Sequence, residues 1–397
     1  MVSAVLFITF FVLLVLNVPI AVCLGLSSAA AILYSGTSLT IVATNIYSGI
    51  SKFLLLAIPF FVLSGNIMAK AGISTRLIRF VDTCVGHRKG GIANVCIIVA
   101  CFFGAISGSG PATVAALGAV LIPAMVERGG FSAAFSTALM ATSSSIAIVI
   151  PPSIAFVVYA SITGVSIGDM FMAGIIPGIL MGLALVVVVM LEVRRNHVVP
   201  SNVEKASAKE RWNAFKDAFW GFLMPIIILG GIYGGFFTPT EAAAVSVVYG
   251  LFVGMVIYKE VKFKDLWEIL IDSAKTTGGI MLIVACASLF SFVCTRFGIS
   301  TAASELLARV AGNQFTFLLI CNIIFLIAGC FIDANSAMYI FIPIMLPVCK
   351  ALGYNVIAFG IMATVNLAIG QVTPPVGVNL FVAIGIKLKD GIRVTLQ

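Results

Sequence analysis

The chain of 397 residues is 61% hydrophobic and only 10% charged, with a mean hydropathy of +1.18. Soluble domains carry roughly 25% charged residues, so this composition excludes a soluble fold. The net charge of +8 is explained by basic cytoplasmic loops of a membrane protein, and we expect no nucleic-acid partner.

A bilayer core of about 30 Å is crossed by a helix of about 20 apolar residues. Apolar blocks of about this length or longer fill the chain at residues 2–16, 18–35, 54–69, 92–124, 131–160, 170–192, 220–237, 241–259, 277–295, 314–349 and 355–386. No Lys or Arg precedes the first block and more apolar chain follows it, so we interpret it as a retained membrane segment. The predicted fold class is an all-α polytopic membrane protein.

The basic residues predict how the chain crosses the membrane. Five segments hold 19 of the 23 Lys and Arg residues, namely 70–90, 127–130, 194–217, 259–275 and 387–397. The positive-inside rule assigns them to the cytoplasm, so residues 92–127 begin and end inside and residues 297–350 begin and end outside. Glycines and a proline interrupt the first span, and polar residues interrupt the second. Such backbone at membrane depth must be covered by protein or line a cavity, which predicts two re-entrant helical hairpins from opposite faces.

Several flanking segments have simpler interpretations. Residues 73–84 and 262–274 have one apolar helical face and predict arms along the cytoplasmic surface, while 194–217 predicts a solvated connector. Residues 238–241 (TPTE) fit a helix-capping box better than a ligand cluster. The nine cysteines include no CxxC pair, which favours apolar packing over metal ligation or disulfides.

An internal repeat relates the two halves of the chain. Three landmarks recur in the same order at an offset of about 222 residues: Ile122-Pro123-Ala124-Met125 with Ile342-Pro343-Ile344-Met345, Met140-Ala141-Thr142 with Met362-Ala363-Thr364, and Pro151-Pro152 with Pro374-Pro375. Because the two hairpins open to opposite faces, the repeats are predicted to be inverted, a plan that secondary transporters use. Each Pro-Pro pair predicts a broken helix, with an ordinary proline kink as the alternative.

Polar residues inside the predicted spans are concentrated at the hairpin tips and helix breaks. They are Ser107, Ser109 and Thr113, Thr142 to Ser145, Asp333, Asn335 and Ser336, and Asn366, Gln371, Thr373 and Asn379. Hydroxyl, amide and carbonyl oxygens suit Na⁺, whereas proton relays use chains of intramembrane Asp, Glu or His. Only Asp333 lies deep in a span, which favours sodium over protons. For isolated Ser and Thr, helix packing or back-bonding is the alternative.

No enzymatic constellation is present in the sequence. Residues 108–111 (GSGP) lack the GK[ST] ending and the preceding strand of a phosphate-binding loop, and there is no Ser-His-Asp set. A membrane-embedded enzyme would need a second catalytic group near Asp333, and its segment offers no His, Lys or other carboxylate. We therefore expect a transporter and not an enzyme.

Four motifs together carry a resemblance to a known family. They are residues 104–113 (GAISGSGPAT), 143–153 (SSSIAIVIPPS), 238–243 (TPTEAA) and 372–379 (VTPPVGVN). In this order they resemble the large membrane (M) subunit, also called DctM-like, of the tripartite ATP-independent periplasmic (TRAP) transporters, and the resemblance covers nearly the whole chain. Within the family, the chain looks most similar to sialic-acid-type members.

The resemblance implies a Na⁺-driven importer in the bacterial inner membrane. A soluble periplasmic substrate-binding protein (P) would deliver an organic acid anion to a complex of this subunit and a small four-helix membrane subunit (Q). The two hairpins and broken helices would form a transport domain that moves as an elevator against a scaffold. The family continues beyond the equivalent of Lys387 into a final transmembrane helix, whereas this sequence ends at Gln397. A stand-alone Na⁺/organic anion symporter that needs no binding protein remains the alternative.

The resemblance and the repeat together divide the chain. We expect N-terminal scaffold helices and an arm at 1–90, the first hairpin and broken helix at 91–160, further scaffold helices with the connector and second arm at 161–276, and the second hairpin and broken helix at 277–397. The expected substrate-binding residues are Ser107, Gly108, Ser109, Gly110, Pro111, Asn335 and Ser336. The expected sodium-binding residues are Ser143, Ser144, Ser145, Asp333, Thr364, Asn366 and Thr373. Na⁺ is the only expected metal, and no organic cofactor is expected.

Overall fold

The computed structural model describes residues 1–195 and 205–386, and every regular element in these ranges is a helix. The α-helices are α1 (Val2–Val15), α2 (Ile20–Tyr34), α3 (Thr40–Ile50), α4 (Ala57–Lys70), α5 (Ile73–Val85), α6 (Gly91–Ser107), α7 (Gly110–Glu127), α8 (Ala133–Ser145), α9 (Ile154–Thr163), α10 (Ile167–Arg195), α11 (Ala208–Tyr233), α12 (Pro239–Phe252), α13 (Phe263–Arg296), α14 (Ile299–Ala311), α15 (Gln314–Phe331), α16 (Ala334–Ala351), α17 (Val356–Gly370) and α18 (Val378–Ile384). Eight helical segments in the described part are long and apolar enough to cross a membrane. The predicted class is confirmed.

The first predicted hairpin is a pair of packed helices, α6 and α7, joined at Gly108 and Ser109. Gly108 has a φ of 61°, the left-handed conformation that glycine adopts without a steric penalty and that commonly ends a helix. Pro111 lies in the first turn of α7, where its missing N–H group costs no helical hydrogen bond. The chain therefore reverses inside the predicted tip.

The second predicted hairpin consists of α15 and α16, which are separated only by Ile332 and Asp333. The Asp333 side chain caps α16 by accepting hydrogen bonds from the N–H groups of Asn335 and Ser336. Such a cap satisfies backbone donors that the first turn of a helix leaves unpaired. Asn335 and Ser336 consequently lie in the first turn of α16 and not in a loop.

Both predicted broken helices are present. After α8 the chain forms one 3₁₀ turn at Ile146–Ile148 and a non-helical stretch at 149–153, which we call break 1, before α9 begins. After α17 the non-helical stretch 371–377, break 2, precedes α18. Each break contains one Pro-Pro pair. The Pro-Pro pairs therefore predicted both positions correctly, whereas the polar residues 143–145 lie in the last turn of α8 and Asn366 lies in α17.

The two predicted arms have different outcomes. The first is confirmed as the separate helix α5, whose Ile73, Leu77 and Val81 are buried. The second is wrong as a separate surface helix, because 263–274 form the start of the 34-residue α13. No proline interrupts this stretch, and Gly278 and Gly279 each cost a helix only about 1 kcal/mol. The expected boundary between 276 and 277 thus falls inside one helix. Residues 196–204 and 387–397 lie outside the described residues, as does part of the predicted connector.

The capping box at 238–241 is confirmed. The Thr238 hydroxyl accepts from the Glu241 N–H group at 3.3 Å, and the Glu241 carboxylate accepts from the Thr238 N–H group at 2.8 Å. The box begins α12, with Pro239 in its first turn. These residues therefore start a helix, as the sequence predicted. All nine cysteines are free.

The two repeats are packed into each other through α9. The Tyr159 hydroxyl donates to the Val356 carbonyl at 2.6 Å, and the Ser161 hydroxyl lies 3.0 Å from that of Tyr339. Tyr159 is fully buried, and Gly360 leaves room for its ring, because a Cβ atom at Gly360 would lie 2.4 Å from the ring. The second half of the first broken helix is thus bonded to α16 and α17 of the other repeat.

Candidate functional site

The tip of the first hairpin is held by its own hydroxyl groups. The Ser107 and Thr113 hydroxyls lie 2.9 Å apart, and the Thr113 hydroxyl also donates to the Ser109 carbonyl at 2.8 Å. Ser107 and Thr113 are buried, whereas Ser109 is half-buried and its side chain caps no N–H group of α7. The tip is therefore stabilised by its own hydrogen bonds, in which the Ser109 hydroxyl takes no part.

This tip lies directly against break 1. A Cβ atom on Gly104 would come within 2.8 Å of the Ala147 Cα atom, and one on Gly108 within 2.9 Å of the Pro152 carbonyl oxygen. Glycine is required wherever two backbones approach this closely. The structure thus brings the predicted substrate residues 107–111 next to the non-helical backbone of the first broken helix.

The second hairpin meets break 2 in the same way. The N–H groups of Val376 and Gly377 both point to the Cys330 carbonyl, at 3.2 and 3.3 Å. A Cβ atom on Gly370 would lie 2.5 Å from the Gly329 Cα atom. Each hairpin end therefore contacts the break of its own repeat, which supports the predicted repeat at the level of contacts.

Asp333 organises the second tip. Its carboxylate accepts the Asn335 N–H group at 3.0 Å, the Ser336 N–H group at 3.2 Å and the Ser336 hydroxyl. Ser336 is fully buried, so its hydroxyl serves the cap. The Asn335 Oδ1 atom is buried without a hydrogen-bond partner in the described part of the chain. An unpaired buried oxygen of this kind needs an explanation, and a cation ligand is one.

Most hydroxyls predicted to bind sodium are bonded to carbonyls one turn earlier. Ser144 donates to Met140, Ser145 to Thr142, Thr364 to Gly360 and Thr373 to Ile369, at 2.7 to 2.8 Å. Ser143 is also fully buried. This back-bonding is the alternative that the sequence left open. A hydroxyl that donates its proton keeps lone pairs, so these oxygens remain able to bind a cation.

Asn366 has a partner that sequence reasoning missed. Its side-chain Nδ2 donates to the Asn322 Oδ1 atom at 2.6 Å and to the Met362 carbonyl at 2.8 Å. This amide pair joins α17 to α15, the first helix of the second hairpin. Only the Oδ1 atom of Asn366 could therefore ligate sodium. Asn322 is an isolated polar residue in an apolar segment, and this polarity was the signal from which a buried partner could have been predicted.

Asn379, which the sequence placed among the polar residues at the breaks but not among the expected ligands, connects the two halves of the predicted site. It follows break 2, is fully buried, and its amide atoms have no hydrogen-bond partner among the described residues. A Cβ atom on Gly110 would lie within 2.6 Å of this amide, so Asn379 packs on the first residue of α7. The first tip is thereby linked to break 2, and break 2 to the second tip.

A cavity of about 400 Å³ lies beside the first tip. Ser107 and Ser109 contribute to one wall, and Asn66 of α4 and Thr276 of α13 contribute to the other. Sequence reasoning missed Asn66 and Thr276, because their helices contain no recognisable motif and their composition predicts ordinary membrane spans. The cavity places the side chains of Asn66 and Thr276, in an otherwise mostly apolar space, near the residues predicted to bind substrate.

Comparison with known proteins gives the family. Residues 7–396 match the family model described as "Tripartite ATP-independent periplasmic transporter, DctM component". The C4-dicarboxylate TRAP transporter large permease protein DctM of Pseudomonas aeruginosa is 42% identical over 90% of this chain and 84% of its own length. The isethionate TRAP transporter permease protein DctMQ of Oleidesulfovibrio alaskensis is 41% identical over 96% of this chain and 60% of its own length. The sialic acid TRAP transporter large permease protein SiaM of Vibrio cholerae is 36% identical over 89% of this chain and 82% of its own length.

These relatives are permeases, which confirms that the chain is not an enzyme, and the match extends over nearly all of it. The family suggested by the four sequence motifs is the family that the comparisons return. The chain belongs to the DctM component family of the TRAP transporters.

Proposed function

We propose that this chain translocates an organic acid anion together with Na⁺ across the bacterial inner membrane. The observation that carries the proposal is the packing of each hairpin tip against the Pro-Pro break of its own repeat. Hydroxyls, amides and non-helical carbonyls are concentrated there, and Asp333 is the single carboxylate that the sequence places deep in a span. These are ligands for Na⁺ and not a proton relay.

The transport step in this proposal uses the helix ends. Among the helices that begin at the tips and breaks, α7 starts at Gly110 without a side-chain cap, whereas Ser153 caps α9 and Asp333 caps α16. The unpaired N–H groups of an uncapped helix N-terminus attract an anion. The anion would bind between the tips, near 107–111 and 333–336. Sodium ions would bind behind it at the breaks and offset its charge, so each ligand would tighten binding of the other by the same factor.

The proposed movement is that of an elevator. Each hairpin would enter and leave the membrane on a single side, the first on the cytoplasmic side and the second on the outer side, as the distribution of basic residues suggests. The hairpins and broken helices would move together against the remaining helices, which would form the scaffold. The two hydrogen bonds that join α9 to α17 and α16 support a transport domain that moves as one body.

The proposed partners follow from the family. A tripartite transporter combines this component with a small membrane subunit and a periplasmic binding protein. One relative is named DctMQ, and this chain covers only 60% of its length, which supports a close association with a Q subunit. The alternative is a stand-alone symporter that binds its anion directly from solution.

The solute is proposed only as a class, an organic acid anion. The relatives are named for C4-dicarboxylates, isethionate and sialic acid, at 42, 41 and 36% identity. These identities are too similar to select one solute. Sialic acid, which the sequence resemblance favoured, therefore takes its place in a panel with the other two.

Uptake into proteoliposomes tests this function. The complex with its Q subunit and binding protein should accumulate radiolabelled succinate, isethionate or N-acetylneuraminate under an inward Na⁺ gradient. We expect at least about tenfold less uptake without Na⁺ or without the binding protein. Uptake driven by a pH gradient in Na⁺-free vesicles would contradict sodium coupling. Full uptake without the binding protein would favour the stand-alone symporter.

The proposed ion sites predict a specific shift in Na⁺ dependence. Ser145→Ala and Thr373→Ala each remove one hydroxyl near a break, so the Na⁺ concentration for half-maximal uptake should rise about threefold or more. Ser136→Ala is the matched control, because Ser136 is a buried serine of the same helix α8, about two and a half turns from Ser145. Unchanged Na⁺ dependence in both variants would exclude these hydroxyls as ligands.

A further inference from the structure

The cavity beside the first hairpin tip is closed on its other side by helices outside the hairpin. α4 approaches the tip closely at Gly65, where a Cβ atom would lie 3.3 Å from the Ser107 Cα atom. The cavity opens next to this contact, with Asn66 and Thr276 facing the tip residues Ser107 and Ser109. One wall therefore belongs to the proposed transport domain and the opposite wall to the proposed scaffold.

The position of the cavity along the membrane follows from the ends of its helices. α4 ends at Lys70, whose ammonium group bonds to the Glu268 carboxylate near the start of α13 at 3.0 Å. Asn66 precedes Lys70 by about one turn, and Thr276 follows Glu268 by about two turns. Both wall residues thus lie towards the basic-rich end of the molecule, which is the proposed cytoplasmic side.

The cavity wall is uncharged and mostly apolar, with polar side chains only at Asn66, Ser107, Ser109 and Thr276 among its described lining residues. Its described lining residues include hydroxyls, the Asn66 amide and apolar side chains, but no Asp, Glu, Lys, Arg or His. Asn66 Nδ2 donates one hydrogen bond to the buried Ser273 hydroxyl at 2.8 Å. An amide has a second N–H group and a carbonyl oxygen. Ser273 therefore fixes Asn66 against α13 while leaving it able to bond a solute.

We propose that Asn66 is a specificity-determining residue in the release path, which contacts the anion as it leaves the first hairpin tip for the cytoplasm. This inference rests on the proposed function and adds to it a contact outside the hairpins and breaks. A neutral amide forms hydrogen bonds with carboxylate, sulfonate and hydroxyl groups but adds no charge attraction that would slow release. A carboxylate at the same position would instead repel the solute in proportion to the charge of the solute.

The test compares a dianion with a monoanion. In the reconstituted complex, Asn66→Asp should lower succinate uptake about tenfold and isethionate uptake about threefold, because twice the charge doubles the repulsion energy. Asn66→Gln keeps an amide, so the uptake of both solutes should stay within about twofold of the wild type. Asn66→Leu introduces no charge and should therefore change the uptake of both solutes by the same factor. Ser64→Ala, on the same helix but outside the cavity lining, should change neither.

Two outcomes would overturn the inference. Equal loss of both solutes in Asn66→Asp would assign Asn66 only to the structural bond with Ser273. Failure of a membrane-impermeant methanethiosulfonate to label Asn66→Cys from the cytoplasmic side would remove the residue from the path, and this measurement does not depend on transport. A wild-type complex that carries no organic anion, with Asn66→Cys labelled normally, would count against the proposed function instead.

Discussion

Gly370→Val is expected to prevent the second repeat from assembling. The Gly370 Cβ position lies 2.5 Å from the Gly329 Cα atom and 2.6 Å from its carbonyl carbon, so a valine side chain would meet backbone that cannot rotate away. The cost should be about 3 kcal/mol or more, at or above the upper end of that measured for overpacked cores. We expect a large fall in the yield of monodisperse protein and in its thermal midpoint.

Gly278→Val is the matched control for this variant. Gly278 also lies inside a helix, α13, but a Cβ atom there meets nothing within 4 Å. Thermal unfolding in detergent can be followed through the intrinsic fluorescence of the three tryptophans. We expect Gly278→Val to stay close to the wild type. Similar midpoints for the two variants would show that the contact between α15 and α17 is not needed for stability.

Gly108→Ala is expected to reduce uptake at least about tenfold while the protein remains folded. Alanine at a φ of 61° costs roughly 1–2 kcal/mol, and its Cβ atom would lie 2.9 Å from the Pro152 carbonyl oxygen. The first tip would have to move away from break 1. The proposed substrate and sodium positions would then separate, whereas the helices α6 and α7 would be kept.

Gly164→Ala distinguishes the two possible causes of a loss of uptake in Gly108→Ala, which are the backbone strain of alanine at a positive φ and the contact with break 1. Gly164 ends α9 with a φ of 79° and has nothing within 4 Å of its Cβ position, so alanine there meets a similar backbone penalty without a contact. We expect a lower thermal midpoint and nearly unchanged uptake. Equal losses of uptake in both variants would attribute the effect of Gly108→Ala to local strain and not to the contact with break 1.

Features set by local chemistry were predictable from the sequence. Gly108 and Pro111 marked the first hairpin tip, because a left-handed glycine ends a helix and proline starts one. Asp333 marked the second tip, since a carboxylate at this position caps the helix that follows. The Pro-Pro pairs marked both breaks, because proline lacks the N–H group that a helix needs and clashes with the preceding turn. Each of these signals acts within a few residues of its own position.

Features that depend on distant partners were not predictable. The Ser144 and Ser145 hydroxyls bond within α8, an alternative that the sequence left open, but the side-chain amide hydrogen bonds of two asparagines join different helices. The partner of Asn366 is 44 residues away, and that of Asn66 is 207 residues away. No spacing rule encodes such pairs, because they exist only once the helices have packed.

The bonding of α9 to the other repeat also bears on how such a chain could have arisen. A protein made of one repeat would leave the hydroxyls of Tyr159 and Ser161 without the partners that Val356 and Tyr339 provide. A second copy of opposite orientation could supply them, with each copy lending its broken helix to its neighbour. An ancestor with this packing would be an antiparallel homodimer encoded by one gene, and a single chain would follow from duplication of that gene and fusion of the two copies.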